Sequence, residues 1–306
     1  MGTPLPQVRL LPPAPGVYRF RDARGRVLYV GRASELRRRV TSYWGDLRGR
    51  GHLRRMVPQI ARVEAVVCDS EHEAAFLERN LLEASRPRWN RTEGVESIVY
   101  IRLERRAVLR HDPGGAAPVF GPYLGGEKVR LAASALNRAL SLAYAGERLG
   151  GFDRDMARVR GVAPGDRAER EAAFAAVLRR EAPALAAVRS ELLARREAAA
   201  AALGFELAAR IQAEIEAIEW VTAEQKVSGW AAEGDADAHG WCGGVLASFE
   251  IRDGRVRAWR QRACSESAAV ARLAVTPQRW RTFADRAATL ASTLAAAGDG
   301  TGPPQG

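Results

Sequence analysis

The feature that most restricts this chain is a pair of β-forming segments near its start. Val17-Tyr-Arg-Phe-Arg21 and Arg26-Val-Leu-Tyr-Val30 are joined by the Gly-containing turn Asp22-Ala-Arg-Gly25. Such a pattern predicts a β-hairpin. Tyr18 and Tyr29 fall on its two strands, and pairing across the turn lets both phenols face one side. The next segments of the chain fit around the hairpin. Ser34 is placed to cap a helix from Glu35 to Trp44, and a second helix is expected over 52–60. Residues 63–68 (Val-Glu-Ala-Val-Val-Cys) read as a third strand. Ser70 and Glu73 form a capping box that opens a helix to about Ser85, with Pro87 as its stop. The first domain is therefore β-β-α-α-β-α, set at residues 10–95.

Downstream the pattern changes. Residues 96–188 read as linker and helix, with a possible strand at 99–103, a Pro-Gly-Gly loop at 113–115, a helical stretch over 127–145 and a linker at 146–166. Residues 167–226 are rich in Ala, Glu and Arg and read as helical, with a hairpin turning near Leu203-Gly204-Phe205 inside a 189–226 unit. Residues 241–250 and 254–263 resemble a second β-hairpin around Asp253-Gly254, and a last helix is expected from Pro277 to Ala297, giving a small C-terminal unit at 227–297. The Gly/Pro-rich tail 298–306 is expected to be disordered. The fold class is α+β: a small three-stranded, mainly antiparallel sheet flanked by helices, a mostly helical region with a helical hairpin, and a small C-terminal β-hairpin plus helix.

Composition narrows the partner. The chain has 306 residues and a net charge of +11. Only Lys128 and Lys226 are lysines, which points to GC-rich codons; that bias explains Arg over Lys but not base over acid. Residues 1–90 hold 17 arginines against 9 acidic residues, so most of the surplus sits on the first domain. A surplus of this kind favours a polyanion, here nucleic acid. Cys68, Cys242 and Cys264 are far apart and suggest neither a disulfide framework nor a thiolate metal site. With no long apolar run and no signal-peptide pattern, a cytoplasmic protein is expected.

Hydrolysis of a phosphodiester needs an aligned and deprotonated water, stabilisation of charge at phosphorus, and a Lewis acid or proton for the leaving oxygen. The first domain carries side chains for each task. Tyr18 and Tyr29 share a hairpin face. Arg32, Arg39 and Tyr43, as helix positions, are expected to pack above it, Arg39 and Tyr43 being one helical turn apart. Glu78, in the middle of the third helix, can coordinate one hard divalent cation. Asn90 can fix the loop or a water. His52 reads as a phosphate contact or a helix cap.

Residues 15–90 resemble the GIY-YIG nuclease domain of the UvrC-type excinucleases. The matching blocks are Pro15-Gly-Val-Tyr18, Val27-Leu-Tyr-Val-Gly-Arg-Ala33, Leu36-Arg-Arg-Arg-Val-Thr-Ser-Tyr43, Met56-Val-Pro-Gln-Ile60, Ser70-Glu-His-Glu-Ala74, Leu77-Glu-Arg-Asn-Leu-Leu82 and Pro87-Arg-Trp-Asn90. The resemblance implies a DNA endonuclease in which Tyr29 is the base or holds the water, Tyr18 orders the water network, Arg39 stabilises the phosphate, and Glu78 holds a single Mg²⁺ or Mn²⁺. Gly31, Arg32, Tyr43, His52 and Asn90 would support substrate and site. Two positions depart from the family pattern: Arg32 stands where lysine is usual and Trp89 where tyrosine is usual. Each keeps the charge or the ring.

The resemblance continues more weakly. Val119-Phe-Gly-Pro-Tyr123 is similar to the element that follows the nuclease domain in UvrC. A cysteine-rich segment able to hold an iron–sulfur cluster often comes next in that family; residues 124–190 contain no cysteine, so no such cluster is expected. Residues 189–225 resemble the UVR motif, through which UvrC and UvrB associate, with Leu203, Phe205, Ala208, Ile211, Ile215 and Ile218 as an apolar stripe. Docking to a UvrB-type helicase is expected, against an ordinary intramolecular helix pair. The expectation is a shortened form without the RNase H-like and helix-hairpin-helix parts, making one incision, 3′ of a lesion. The competing readings are a GIY-YIG endonuclease outside excision repair and a non-catalytic DNA- or protein-binding regulator.

Overall fold

The computed structural model describes residues 3–45, 47, 51–90, 96–114, 118–146, 148–224, 226–228 and 234–299. Of the tail expected to be disordered, Gly298 and Asp299 belong to the last helix, and 300–306 lie outside the described residues. The chain divides into two units: residues 1–95 with 224–306, and residues 96–223. The segment that composition sets apart at the C-terminus is thus in the same unit as the N-terminal hairpin.

In the first unit, β1 (Gly16–Arg21) pairs antiparallel with β2 (Val27–Ala33) and, on its other edge, with β3 (Arg62–Val67), so β1 is the middle strand. The hairpin register sets Tyr18 opposite Gly31 and Phe20 opposite Tyr29. Alternation then puts Tyr18, Phe20, Tyr29 and Gly31 on one face and Val17, Arg19 and Arg32 on the other. Arg32 is therefore a strand residue, not a helix residue above the tyrosines as the sequence suggested, because β2 runs on through Ala33. The helix α1 (Leu36–Thr41) starts without the predicted Ser34 cap: Glu35 is the N-cap residue and offers no side-chain bond. A 3-10 turn, Ser42–Trp44, extends it and carries Tyr43 inward. The second helix is only α2 (Gly51–Arg54), because Pro58 follows within a separate 3-10 turn. Half of the predicted capping box forms at α3 (Glu71–Ala84): Ser70 Oγ accepts from Glu73 N at 3.0 Å, but the Glu73 carboxylate accepts from Asp69 N at 2.6 Å and not from Ser70 N.

The C-terminal part of this unit is a three-stranded antiparallel sheet, β7 (Ala236–Cys242), β8 (Val245–Arg252) and β9 (Arg255–Ala263), with helices α9 (Glu266–Ala274) and α10 (Gln278–Asp299). The sequence indicated β8, β9 and α10 only. β7, with Ala, Asp and Gly at alternate positions, has little β preference. It stays ordered because the Thr276 hydroxyl closes its outer edge, accepting from His239 N at 2.9 Å and donating to His239 O at 3.1 Å. Gly240 is needed there, since a Cβ would lie 2.1 Å from the Ala284 carbonyl oxygen of α10.

This part is bonded to the N-terminal domain at many points. Glu73 accepts from Lys226 N at 2.6 Å, Ser70 Oγ donates to Glu224 O at 2.6 Å, and Asn80 Nδ2 donates to Val227 O at 3.3 Å. Asp69 pairs with Arg286 at 2.7 Å and Lys226 at 3.2 Å. Leu294 of α10 enters the hydrophobic core made by Tyr18, Phe20, Leu36, Val40 and Met56. Behind the sheet, Arg19 and Glu64 form a buried pair, Arg21 joins at 2.9 Å, and Arg19 lies 4.0 Å over the Trp259 ring while donating to its carbonyl at 2.6 Å.

The second unit has its own sheet, β4 (Ile98–Leu103) between β5 (Ala107–Arg110) and β6 (Val119–Leu124), all antiparallel. Helices α4 (Glu127–Leu140), α6 (Arg167–Leu178), α7 (Ala182–Ala201) and α8 (Phe205–Thr222) share one core with it. β6 escaped the sequence reading because Gly121-Pro122 reads as a strand breaker; Pro is tolerated on an edge strand. Within the stretch taken as a linker lies α5 (Gly151–Val159), an amphipathic helix with only Ala157 buried and Phe152 and Val159 exposed. Arg180 at φ 67° breaks what the sequence presented as continuous helix between α6 and α7.

Candidate active site

The face of the hairpin that carries the tyrosines is roofed by the turn after α1. Tyr18, Tyr29 and Tyr43 form a triangle of rings with centroids 5.9 to 6.3 Å apart. Tyr18 Oη and Tyr43 Oη are 2.7 Å apart. The Arg39 guanidinium lies 5.6 Å from the Tyr43 ring centre. One cluster thus gathers Arg39, Tyr18, Tyr43 and Tyr29, with the Tyr18–Tyr43 hydrogen bond at its centre. Phe20 packs beneath it, 4.9 Å from Tyr43 and 6.2 Å from Tyr29.

Burial distinguishes the three phenols. Tyr18 and Tyr43 are closed off from solvent, and Tyr29 is partly exposed. Only Tyr29 is placed to meet a substrate or a water. All three are pushed above the ordinary phenol range near 10. For Tyr29 burial acts first, then the neighbouring Tyr43 and the Glu78 carboxylate, with Arg39 opposing. For Tyr18 burial again leads, reinforced by Tyr29, and the bond to Tyr43 and the Arg39 charge pull the other way. These phenols are therefore held neutral. Burial lowers the Arg39 pKa, but the surrounding phenols outweigh it and leave the pKa raised, so the cation is fixed.

Gly31 explains how the rings come this close. A Cβ at that position would stand 2.5 Å from Tyr18 Oη and 2.7 Å from the Tyr29 ring. The glycine opposite Tyr18 in the register is thus the space into which both tyrosines lean. Asn90 holds the same strand from outside. Its side chain accepts from Val30 N at 2.9 Å and donates to Val30 O at 2.7 Å, and Trp89 N bonds Leu28 O at 3.2 Å. Segment 87–90 thereby closes the free edge of β2. That is a positional role for Asn90, between the two residues, Tyr29 and Gly31, that shape the site.

Glu78 sits on α3 beside Arg32, with a side-chain separation of 3.4 Å, and is about one-fifth exposed. Its charge reaches Tyr29, as the tyrosine's raised pKa records. Among the described residues no group of three or more His, Cys, Asp and Glu is arranged to hold a metal. A lone, accessible carboxylate fits one hydrated divalent cation that keeps most of its waters, and does not fit a site of several protein ligands. His52, on α2, takes no part in the hydrogen bonds or ion pairs of this cluster among the described residues. The sequence-based reading missed Phe20 and Trp44, the floor and rim of the aromatic cluster; Phe20 was legible as the residue two after Tyr18 on the same strand.

At the other predicted site the residues part company. Leu203 and Phe205 are 75% and 66% exposed at the turn between α7 and α8, while Ile211 and Ile215 are buried in the core of the second unit with Ala208 packed at its margin. The stripe read from the sequence is accessible only at its tip, where Leu207 is also exposed.

Residues 14–91 match the profile of the UvrC-like GIY-YIG domain. The chain is similar to UvrABC system protein C of Trichlorobacter lovleyi, with 34% identity over 144 residues, covering 45% of this chain and 24% of that protein. The same-named protein of Geobacter metallireducens is 35% identical over 146 residues, again 45% and 24%, and that of Symbiobacterium thermophilum 39% identical over 125 residues, 38% and 20%. The match spans about a quarter of the length of these relatives or less. Among solved structures, the GIY-YIG N-terminal endonuclease domain of UvrC from Thermotoga maritima, bound to its catalytic divalent cation magnesium, is 33% identical, with a TM-score of 0.26, covering 28% of this chain and 92% of that one. Residues 14–91, which hold the hairpin and the tyrosine cluster, are a GIY-YIG domain by their match to the family profile. That domain is of the UvrC-like kind.

Proposed function

We propose that this chain is a divalent-cation-dependent DNA endonuclease of nucleotide excision repair that hydrolyses one phosphodiester bond, on the 3′ side of a lesion. The observation that carries the reading is the cluster in which Arg39 and two buried, hydrogen-bonded phenols, Tyr18 and Tyr43, surround the one partly exposed phenol, Tyr29, with the Glu78 carboxylate acting on it. Tyr29 Oη, in its minor phenolate form, holds the attacking water and takes its proton, returning to the neutral phenol. Tyr18 and Tyr43 fix the orientation of that phenol. Arg39 donates to the non-bridging phosphate oxygens, where charge develops. Glu78 would hold Mg²⁺ or Mn²⁺, which would supply Lewis-acid stabilisation of the leaving 3′ oxygen. Arg32, beside Glu78, and His52 are assigned to the phosphate backbone.

The relatives' name, UvrABC system protein C, supports a multi-protein setting. The partner is a UvrB-type helicase, bound in the cytoplasm through the 189–226 hairpin. The exposed tip, Leu203, Phe205 and Leu207, supports the docking role, and Ile211 and Ile215 hold the hairpin to its own unit.

A lesion-bearing duplex incubated with the protein, UvrB, ATP and Mg²⁺ tests the reading. One nick 3′ of the lesion is expected, lost in Glu78→Ala, and Leu203→Asp with Phe205→Asp should abolish UvrB binding while leaving the melting temperature unchanged. No nick, or an undiminished one after Glu78→Ala, would overturn it. The pH profile is a second check. With the Tyr29 pKa raised, the phenolate is scarce at neutral pH, so the rate should climb with pH into the alkaline range. A profile already flat at pH 7 contradicts Tyr29 as base.

A further inference from the structure

The second unit contains a groove of about 510 Å³ between the edge strand β5 and helix α4. Arg106, on the turn before β5, and Arg130, on α4, stand at its rim, both exposed and with no ion pair among the described residues. Arg138 lies one helical face along from Arg130 and Ser134, and Arg160 closes the end. No acidic side chain lines the groove.

The groove is built rather than merely charged. Glu214, fully buried, accepts two bonds from Arg138, at 2.6 and 3.0 Å, and one from Ser134 at 2.7 Å, so the floor is rigid. Asn137 pins the β5 edge, accepting from Ala107 N at 2.8 Å and donating to Ala107 O at 3.0 Å. Arg160 lies 5.0 Å from the Tyr144 ring centre and donates Nη1 to Ser141 Oγ at 3.4 Å.

We infer that this groove is a second nucleic-acid contact, which takes a single strand by its phosphodiester backbone. Arg106 and Arg130 meet successive phosphates, and Arg160 with Tyr144 offers a flat cationic–aromatic surface of the kind on which bases stack. A groove with cations at its rim and a partly apolar wall from Val108 and Leu109 suits a strand better than a free inorganic anion, which needs a closed cradle. The nuclease assignment concerns the other unit, so the inference does not depend on cleavage.

The test measures binding, in the full chain and in EDTA, so that cutting plays no part. A fluorescent single-stranded oligonucleotide is titrated at several salt concentrations against the wild type, against Arg106→Ala with Arg130→Ala, and against the control pair Arg148→Ala with Arg179→Ala. The control removes the same charge outside the groove. The groove pair should weaken binding by about fivefold or more and reduce the slope of log K against log salt by about 1.4, at roughly 0.7 per lost phosphate contact on a single strand. The control pair should change neither beyond about twofold. Equal losses in both pairs, or none in the groove pair, overturn the inference. Inorganic phosphate that displaces the oligonucleotide better than sodium chloride of equal ionic strength, in the wild type but not in the groove pair, marks a small-anion site and also overturns it. An intact nick by the groove-pair variant, or the loss of any nick in the wild type, bears on the nuclease reading alone.

Discussion

Tyr18 and Arg19 are neighbours in the sequence and lie on opposite faces of the same strand. On Tyr18's face, three phenols and an arginine form a cluster, Tyr18 and Tyr43 hydrogen-bonded and one member, Tyr29, partly open to solvent. On Arg19's face, a carboxylate, three arginines and a tryptophan close over one another: Glu64 is 3% exposed, with Arg19, Arg21 and Arg62 all within ion-pair distance. Both faces bury polar groups, which is costly unless they are paired. The difference lies in what the pairing leaves over. The ionic face is closed over by β9, with its carboxylate shared among three arginines, so it acts as scaffold. The phenolic face ends in a group with bonding capacity to spare, next to an accessible carboxylate, so it is poised for a substrate.

This contrast predicts that substitutions on the two faces affect different observables. The largest effect belongs to the phenolic face. Tyr29→Phe should lower the rate of DNA nicking by about a thousandfold, the order of a lost general base, while the thermal melting temperature stays within a degree or two of wild type. A variant that melts early would place Tyr29 in the scaffold instead. Next comes the ionic face: Glu64→Gln leaves buried arginines unpaired and should cost about 3 kcal/mol or more of stability in denaturant titration, with the nicking rate per folded molecule unchanged. Equal loss of rate and stability would merge the two faces into one cluster.

Acid sensitivity should come from the ionic face too. Burial acts to raise the Glu64 pKa, but Arg19 and Arg21 outweigh it and hold the carboxyl below its usual value. A depressed folded pKa contributes stability that is fully present above the unfolded value of about 4.5 and is lost as pH falls through the folded one. The wild type should therefore lose stability below about pH 4.5, and Glu64→Gln should lose less over that range. A variant that is as acid-labile as the wild type would assign the loss to other groups. The smallest effect is expected at Asn90. Replacing it with Ala frees Val30 N and O at the sheet edge, where water can take over, and should cost about 1 kcal/mol with a modest fall in rate.

The same contrast shows what could be read from sequence. The phenolic face was legible because its members lie close together in the chain: Tyr18 and Tyr29 flank one turn, and Arg39 and Tyr43 follow on one helical turn and its extension. Glu78 was legible as the middle of a capped helix. The ionic face was not, because Arg19 and Glu64 meet across strands and the Trp259 that covers them is 240 residues away. Nothing local announces that Glu73, half of an ordinary capping box, would turn to bond Lys226 N. β5, β6 and β7 went unread for a related reason. Their edges are closed by side chains from elsewhere or their Pro and Gly are tolerated at a sheet margin, and neither is visible as periodicity. The apolar stripe of α8 was read correctly as a stripe, but a stripe does not say whether it faces its own core or a partner, and most of it faces its own core.

The measurement that bears most directly on the central claim is single-turnover nicking of a lesion-bearing duplex by the wild type and Tyr29→Phe at matched folded concentration, with UvrB, ATP and saturating Mg²⁺. A 3′ nick that falls by about a thousandfold in Tyr29→Phe, with both proteins equally folded, is the predicted result. A nick of equal rate from both proteins, or from neither, would contradict it.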